Sequence, residues 1–336
     1  MNKFEHDGYP IIYCHGSQSS RLEMHYDISF ATGLDLRIIC IDRPGHGISD
    51  FNSSGSILDF AKDVKQLLDH LKIERFSVVG MSAGAPFALG ITYLFPDSIY
   101  KVSIISGFAP LNKQSKKHLS KEVKMMLGLA KSFPFLLKML LKVQMKQLNK
   151  NPKKALKGFL KIMGQPDQEI LKNESVLEVI ENMFIEAFRN GSEGVAYEIS
   201  NLLVRDWGFK LNEIEAPLTF WQGKKDNNVP FQWAEMMQKE INNSKLKLFP
   251  EDGHLLIFNH AREIFSDLKP ELENTFSILK LLLNLAFNNS LNISAWGSIF
   301  EILIIVIIFK FRRENIWKRG ERILDCFTEI IPRINH

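Results

Sequence analysis

The sequence predicts an α/β fold in which a mostly parallel sheet is flanked by helices, and three observations support this prediction. Six short apolar runs are bounded by Gly, Pro, Asp or Asn, as buried strands are. Helical patterns separate most of these runs, and this alternation is typical of a parallel sheet. A long helical stretch between the fourth and fifth runs interrupts the sheet without ending it.

The six predicted strands are continuous apolar runs, which suit strands that helices cover on both faces. In chain order they are PIIYCHG, LRIICIDRPGHG, FSVVGMSAG, YKVSIISGF, APLTFWQGKKD and SKLKLFPEDGH. Between the second and third runs, apolar residues recur every three or four positions from Ile57 to Leu71, which predicts a helix. PFALGITYLF, PFQWAEMMQKEI and the residues around His260 to Leu268 also have helical patterns.

Four segments follow from this organisation. Residues 1–107 and 204–268 are predicted to form the two parts of an α/β core. Residues 108–203 are predicted to form a helical cap inserted between them. Residues 269–336 form an extension of hydrophobic and basic character.

Within the extension, residues 294–311 are long and apolar enough to be considered as a transmembrane helix. Glu301 argues against this, because a charge in the middle of a bilayer is costly. A helix at the membrane interface and a helix packed on the domain therefore remain as alternatives to a spanning one.

Composition limits the function classes. The net charge of +4 is too small to indicate a nucleic-acid partner by itself. Cys14, Cys40 and Cys326 follow neither a disulfide nor a zinc pattern, and no cofactor or metal motif is present. Because the first residues lack a signal-peptide pattern, we expect a cytoplasmic protein, or one associated with a membrane through residues 294–311.

Ser82 is the strongest catalytic candidate. A serine nucleophile needs an adjacent base, and it must project from a sharp turn between strand and helix. Such a turn leaves room only for very small side chains two residues before and after, and Gly80 and Gly84 stand there. The spacing G-x-S-x-G predicts a nucleophile elbow. The turn would also place the backbone N–H of Ala83 where it can stabilise an oxyanion.

Three further strand ends complete the predicted site. HGSQSS follows the first strand, and its Ser17 offers a second backbone N–H for the oxyanion. Asp226 follows the fifth strand and His254 the sixth, so the chain order is Ser, Asp, His. In the predicted triad His254 acts as the general base and Asp226 orients it. Asp252 is a rival acid, but it belongs to the same loop as His254.

These motifs resemble the α/β-hydrolase superfamily, in particular capped serine hydrolases that open with H-G-x-x-x-S-R, here HGSQSSR. DRPGHGISD, WGF and WQGKKDNNVP extend the resemblance from about Tyr9 to Phe265. Gln18 and Ser19 stand where many members have Pro or Gly. The resemblance implies an α/β-hydrolase fold with an inserted helical cap, and a Ser–His–Asp mechanism. It does not define a substrate.

The sequence therefore predicts a serine hydrolase that cleaves a carboxylic ester or similar acyl bond through an acyl-enzyme. Two alternatives stay open: the same triad used for acyl transfer or carbon–carbon hydrolysis, and a ligand-binding module with slow turnover. The expected partner is a small acyl substrate with an apolar part. The first half of the cap is rich in both lysine and apolar residues, which predicts either ordinary amphipathic helices or a basic surface that attracts anions or lipid headgroups.

Overall fold

The computed structural model describes residues 8–25, 29–160 and 163–270, and its centre is one parallel sheet. The six strands pair in the order β2-β1-β3-β4-β5-β6, and every pairing between them is parallel. They are β1 Tyr9–Cys14, β2 Leu36–Cys40, β3 Phe76–Met81, β4 Ile99–Ile105, β5 Leu218–Gly223 and β6 Ser244–Phe249. The predicted α/β fold with a mostly parallel sheet flanked by helices is confirmed.

Eleven α-helices surround or follow the strands in the described residues. They are α1 Ser29–Gly33, α2 Ile57–His70, α3 Ala85–Leu94, α4 Lys121–Ser132, α5 Pro134–Lys150, α6 Pro152–Leu160, α7 Gln165–Ile170, α8 Glu174–Ala187, α9 Glu193–Tyr197, α10 Phe231–Glu240 and α11 Ile257–Asp267. Helices α4 to α9, followed by a π-helical turn at Glu198–Leu203, lie between β4 and β5. We call this segment the helical insertion.

Helix α2 shows how the local sequence defines an element. Ser56 caps its first turn: Ser56 Oγ accepts the Asp59 N–H at 3.1 Å, and the Asp59 carboxylate accepts the Ser56 N–H at 3.1 Å. This reciprocal capping box satisfies two backbone donors that a helix start otherwise leaves unpaired. One stripe of the helix is buried, formed by Ile57, Phe60, Ala61, Val64 and Leu68. The apolar positions that the sequence predicts for this helix therefore include the buried stripe, which belongs to the same core cluster as α3 and strand residues.

The sheet is covered on both faces, because successive side chains of a strand point to opposite sides. Val78 of β3 and Phe220 of β5 belong to the cluster that includes α2, α3 and the helical insertion. Their neighbours Val79 and Trp221 belong to the cluster on the other face, which includes α11. Continuous apolar strands are the sequence signature of this two-sided burial.

The chain divides into two units, Met1–Lys269 and Pro270–His336. Among the helices that the structure describes, none has the length and apolar character needed to cross a membrane. The stretch 294–311, considered above as a membrane segment, lies outside the described residues.

The turn from β3 into α3 is packed so closely that two positions accept only glycine. A Cβ added at Gly84 would overlap the carbonyl oxygen of Cys14 in β1. A Cβ added at Gly80 would lie 2.8 Å from the Cβ of Ala88 in α3. Because the atoms that a side chain at Gly84 would meet belong to the backbone, the turn can accept a larger residue only through a costly backbone shift.

We expect Gly84→Ala to lower the free energy of unfolding by about 1–3 kcal/mol or more, because the new methyl group overlaps the β1 backbone. The matched control is Gly128→Ala in α4, where an added Cβ meets nothing within 4 Å. That substitution should be neutral or stabilise by up to about 1 kcal/mol, since alanine favours helix over glycine. Urea unfolding of the two variants compares them directly. Equal stabilities would contradict the packing argument.

Candidate active site

Ser82 lies at the carboxyl end of β3, where the chain turns sharply into α3. Its φ is +51°, in the left-handed region that residues with a side chain seldom adopt. Ser82–Gly84 form one helical turn directly before α3, and Ala83 is buried in that turn. A strained conformation of this kind persists only where the surroundings enforce it. Here the close packing of Gly80 and Gly84 does so.

Asp226 and His254 are in direct contact after β5 and β6. The distance from His254 Nδ1 to Asp226 Oδ2 is 2.8 Å, and both residues are buried. Asp226 Oδ1 accepts the backbone N–H groups of Asn228 and Val229, each at 2.8 Å. Gln222 Nε2 donates to Asp226 Oδ2 at 3.1 Å. These donors fix the carboxylate, which in turn holds the imidazole with Nε2 on the side away from Asp226.

The surroundings of His254 favour its protonated form. Burial alone lowers the pKa of His254, but the neighbouring acids, Asp226 foremost, together raise the pKa above its ordinary value. Asp167 and Glu23 act in the same direction. All three acids are buried, so water screens their effect on His254 only weakly. The environment therefore stabilises an imidazolium at this position.

The segment that follows β4 connects the loops of Ser82 and His254. Ser106 Oγ donates to the backbone carbonyl of His254 at 3.0 Å. The N–H of Phe108 donates to the backbone carbonyl of Ser82 at 2.9 Å. Ser106 has a φ of +46°, which marks a second tight turn at this edge of the sheet. Ser82 and His254 are thus anchored on the same short stretch of chain.

The loop after β1 lies against Ser82, since a Cβ added at Gly16 would be 3.7 Å from Ser82 Cβ. The Gly16 carbonyl oxygen accepts a hydrogen bond from Arg43 Nη2 at 2.9 Å. His15 Nδ1 is also 2.9 Å from that oxygen. In a trans peptide the N–H points away from the C=O, so these contacts fix the direction of the Ser17 N–H.

Glu23 holds the same loop from its other side. Its buried carboxylate accepts the Gly16 N–H at 2.7 Å, Ser19 Oγ at 2.6 Å and the Tyr13 hydroxyl at 3.0 Å. Burial raises the pKa of Glu23, although the three hydrogen bonds favour the ionised form. The Gly16 N–H is therefore bound by Glu23. The next N–H along the chain is that of Ser17, whose direction is fixed by the contacts of the Gly16 carbonyl.

Arg43 joins the core to the helical insertion. Arg43 Nε donates to Glu198 Oε2 at 2.6 Å, and Nη2 donates to Glu198 Oε1 at 2.9 Å. Its guanidinium also donates to the His15 carbonyl and lies 4.5 Å from the centre of the Phe87 ring. Both charged side chains are almost completely buried, and the paired geometry is the one that arginine forms best with a carboxylate.

The helical insertion reaches the loop after β1 at further points. Gln144 of α5 donates from Nε2 to Gln18 Oε1 at 2.6 Å. Ser19 Oγ lies 3.3 Å from Met183 Sδ of α8. Gln18 has a φ of +53°, so this loop contains a residue in the left-handed region. Side chains of the insertion thus contact the loop that lies against Ser82.

The remaining polar candidates have other partners. Asp252, the rival acid, accepts from Asn259 at 3.0 Å and is 3.1 Å from His260, so the acid in contact with His254 is Asp226. His46 is buried against His15, and burial lowers the pKa of His46. Within the described residues, no group of three or more His, Cys, Asp or Glu is arranged to hold a metal ion.

Several residues around the site were not found from the sequence: Glu23, Arg43, Ser106, Asp167 and Glu198. Glu23, Asp167 and Glu198 are isolated acids in helical patterns, and such side chains are ordinarily expected to be exposed to solvent. Ser106 precedes a glycine at a strand end, and that signal could have identified it. Arg43 lies in a motif that was noted only for its resemblance.

A comparison with protein families decides the assignment of the fold. The family described as "alpha/beta hydrolase fold" matches residues 9–261. The chain belongs to the α/β-hydrolase fold family. The expectation drawn from the sequence motifs is confirmed at this level.

Individual α/β hydrolases similar to this chain carry different names. A 2-hydroxy-6-oxononadienedioate/2-hydroxy-6-oxononatrienedioate hydrolase of Paraburkholderia phymatum is 26% identical over 258 residues, which are 75% of this chain and 82% of the relative. An esterase from Exiguobacterium antarcticum is 22% identical, with a TM-score of 0.56 and coverage of 77% and 90% of the two chains. A bromoperoxidase from Bacillus anthracis is 21% identical, with a TM-score of 0.58 and the same coverages. These two solved structures support the fold alone.

Asp167 of α7 connects the helical insertion to the His254 loop of this α/β hydrolase. Asp167 Oδ1 accepts the backbone N–H of Leu255 at 2.8 Å. The backbone N–H of His254 also favours the ionised form of Asp167. A Cβ added at Gly253 would overlap the carboxyl group. Burial raises the pKa of Asp167. Asp167 therefore anchors the backbone of the His254 loop, and its carboxylate also favours the protonated form of His254.

We expect Asp167→Asn to lower the pKa of His254, because it removes a charge that stabilises the imidazolium while its amide oxygen still accepts the Leu255 N–H. An NMR titration of the His254 ring measures this directly, without any substrate. The matched control is Asp97→Asn, an exposed acid before β4 that should leave the titration unchanged. An unaltered His254 titration in Asp167→Asn would show that the carboxyl group acts only as an anchor.

Proposed function

We propose that the chain is a serine hydrolase that cleaves a carboxylic ester or similar acyl bond through Ser82, His254 and Asp226. The observation that carries the proposal is the 2.8 Å contact between His254 Nδ1 and Asp226 Oδ2. It leaves Nε2 as the nitrogen that can accept a proton from a serine hydroxyl. The strained turn at Ser82 and the shared anchoring on the segment after β4 add to this support.

In the proposed reaction, His254 takes the proton of the Ser82 hydroxyl as the oxygen attacks the acyl carbon. The imidazolium that forms is stabilised by Asp226, and it then protonates the leaving group. His254 next activates a water molecule, which attacks the acyl-enzyme and regenerates Ser82. Each of these steps uses the same proton position on Nε2.

The negative oxygen of the tetrahedral intermediate would be bound by the backbone N–H groups of Ser17 and Ala83. Ala83 is suited because it lies in the first turn of a helical stretch, where N–H groups lack partners within the helix. Ser17 is suited because the carbonyl of its peptide is held by Arg43. Donors fixed before the reaction stabilise charge better than donors that must first reorient.

We propose a small substrate with an apolar acyl part, enclosed by the helical insertion acting as a cap. Met183 reaches the loop beside Ser82 from the insertion. Phe108 donates its N–H to the Ser82 carbonyl. Its ring packs edge-on against Trp233, with ring centres 5.1 Å apart. Apolar walls with a few fixed polar groups are usual for small-molecule sites.

A second candidate keeps the same residues but cleaves a carbon–carbon bond. The relative from Paraburkholderia phymatum supports it, because a 2-hydroxy-6-oxo dienedioate contains no ester and its hydrolysis must break the carbon chain. The reaction would still need a base at His254 and an oxyanion site for the ketone oxygen. The two candidates differ in the substrate, and the assay below separates them.

Wild type should hydrolyse p-nitrophenyl esters, and Ser82→Ala should reduce kcat/KM by about 10⁴–10⁶-fold, because it removes the nucleophile. Acyl chains of increasing length would measure the size of the pocket. Ser53→Ala, at an exposed serine before α2, is the matched control and should retain full activity. Turnover of a 2-hydroxy-6-oxo dienoate without ester turnover would favour the second candidate. Activity that survives Ser82→Ala would contradict both.

The pH dependence tests the acid of the triad. His254 must be neutral to act as a base, so kcat/KM should rise as the pH increases through its pKa, which lies above the ordinary value of 6.5. Asp226→Asn removes the stabilising charge, so this acid limb should shift to lower pH. The rate should also fall by about 10³–10⁴-fold, because the imidazole is no longer held in the required tautomer.

Asp252→Asn is the matched control, because it changes the rival acid in the His254 loop without altering the contact with Asp226. It should leave the acid limb in place. A shift in Asp252→Asn together with an unchanged profile in Asp226→Asn would reverse the assignment.

A further inference from the structure

Helices α4 and α5 present a large apolar surface to solvent. Phe135 is 75% exposed and Met125 is 74% exposed, although buried positions are the usual place for such side chains. We call this surface the exposed apolar face, and its residues are Met125, Met126, Phe133, Phe135, Leu136, Met139, Leu140 and Val143. The spacing of the α5 members places them on one side of that helix, and exposed apolar surface of this kind is typical of an interaction site.

The exposed apolar face is separate from the side of α5 that packs on the protein. Leu137, Leu141 and Leu148 of α5 are buried. At 100° per residue they lie on the opposite side of the helix from Met139 and Val143. Of the two expectations drawn from the sequence, ordinary amphipathic helices would have one apolar side turned inward with lysines in water, whereas α5 has two apolar sides. The outer one is exposed to solvent in the part of the chain that the structure describes.

Lysines run along the border of this face. Lys138, Lys142, Lys146 and Lys150 follow one another every four residues on α5 and are exposed, so they begin beside the apolar side chains and turn gradually towards them. Lys138 is paired with Glu193 at 3.1 Å. Residues 121–150 contain seven lysines and one glutamate, a net charge of +6. Since the whole chain has a net charge of +4, the rest of it has a net charge of −2. Positive charge is therefore concentrated around the exposed apolar face.

We propose that the exposed apolar face binds the surface of a lipid bilayer that contains anionic lipids. Amphipathic helices with lysine beside Phe, Leu and Met lie in the interface, with apolar side chains at the acyl boundary and ammonium groups at the headgroups. Each lysine near an anionic membrane surface adds about 1 kcal/mol of attraction. Apolar burial and charge attraction act together at this one surface.

Charge argues against a second copy of the chain as the occupant. Two copies packed face to face would bring together two segments that each have a net charge of +6. An anionic bilayer satisfies both the apolar and the charged part of the surface.

The proposed surface belongs to a helix that contacts the candidate active site. Gln144 of α5 donates to Gln18 in the loop after β1, at 2.6 Å. Membrane binding would therefore hold that loop close to the source of apolar acyl compounds. The binding itself does not depend on the chemistry at Ser82, and it is measured without any substrate.

The test is co-sedimentation of the full chain with vesicles of phosphatidylcholine, with and without phosphatidylserine. We expect binding only when phosphatidylserine is present, and we expect high salt to weaken it by screening the lysines. Absence of binding, or equal binding to neutral vesicles at every salt concentration, would overturn the proposal. Self-association without vesicle binding would favour the second copy and also overturn it.

Variants assign the binding to this surface within the full chain. Lys142→Gln combined with Lys146→Gln should weaken binding at least about tenfold, and Phe135→Ser about fivefold. The controls are Lys239→Gln combined with Lys245→Gln, and Ile48→Ser, all at exposed positions outside the face. Thermal unfolding verifies that each variant is folded. Wild-type binding by both face variants would place the membrane contact elsewhere and refute the proposal.

Discussion

The buried ion pair between Arg43 and Glu198 is the interaction on which the arrangement around Ser82 depends. Arg43 holds the carbonyl oxygens of His15 and Gly16, and Glu198 holds Arg43. Removal of one partner would leave the other charge buried without compensation, which costs about 3–5 kcal/mol. The loop beside Ser82 is therefore fixed by a charge that comes from a distant part of the chain.

The helical insertion is consequently part of the candidate site and not only a cover over it. Glu198 reaches the loop after β1 through Arg43, Asp167 reaches the loop of His254, and Gln144 reaches Gln18. Each contact is a hydrogen bond to a core loop at a strand end. A movement of the insertion would therefore change the geometry of both loops, so enclosure of a substrate and alignment of the reacting groups are physically coupled.

Sequence reasoning found the residues whose position depends on local order. Most strands were recognisable because two-sided burial makes them largely apolar, although the edge strand β6 alternates lysine with apolar residues. Ser82 directly follows a strand end, and Asp226 and His254 lie in the loops after β5 and β6. Glu23 and Asp167 could not be found in this way, because their importance comes from partners that only the fold brings close. The exposed side of α5 was missed for a related reason: periodicity identifies an apolar side, but it does not tell whether the protein has anything to cover it.

The buried charges divide the site into two electrostatic halves. On one side, Asp226 and Asp167 favour a positive charge on His254. On the other, the guanidinium of Arg43 binds the carbonyl of the Gly16–Ser17 peptide. The positive guanidinium, hydrogen-bonded to that carbonyl, polarises the peptide. Because hydrogen bonds in a chain strengthen one another, the Ser17 N–H becomes a better donor. Proton transfer from Ser82 creates a cation at His254 and an anion at the oxyanion position. In the proposed reaction, each charge would form where the protein already holds the opposite sign.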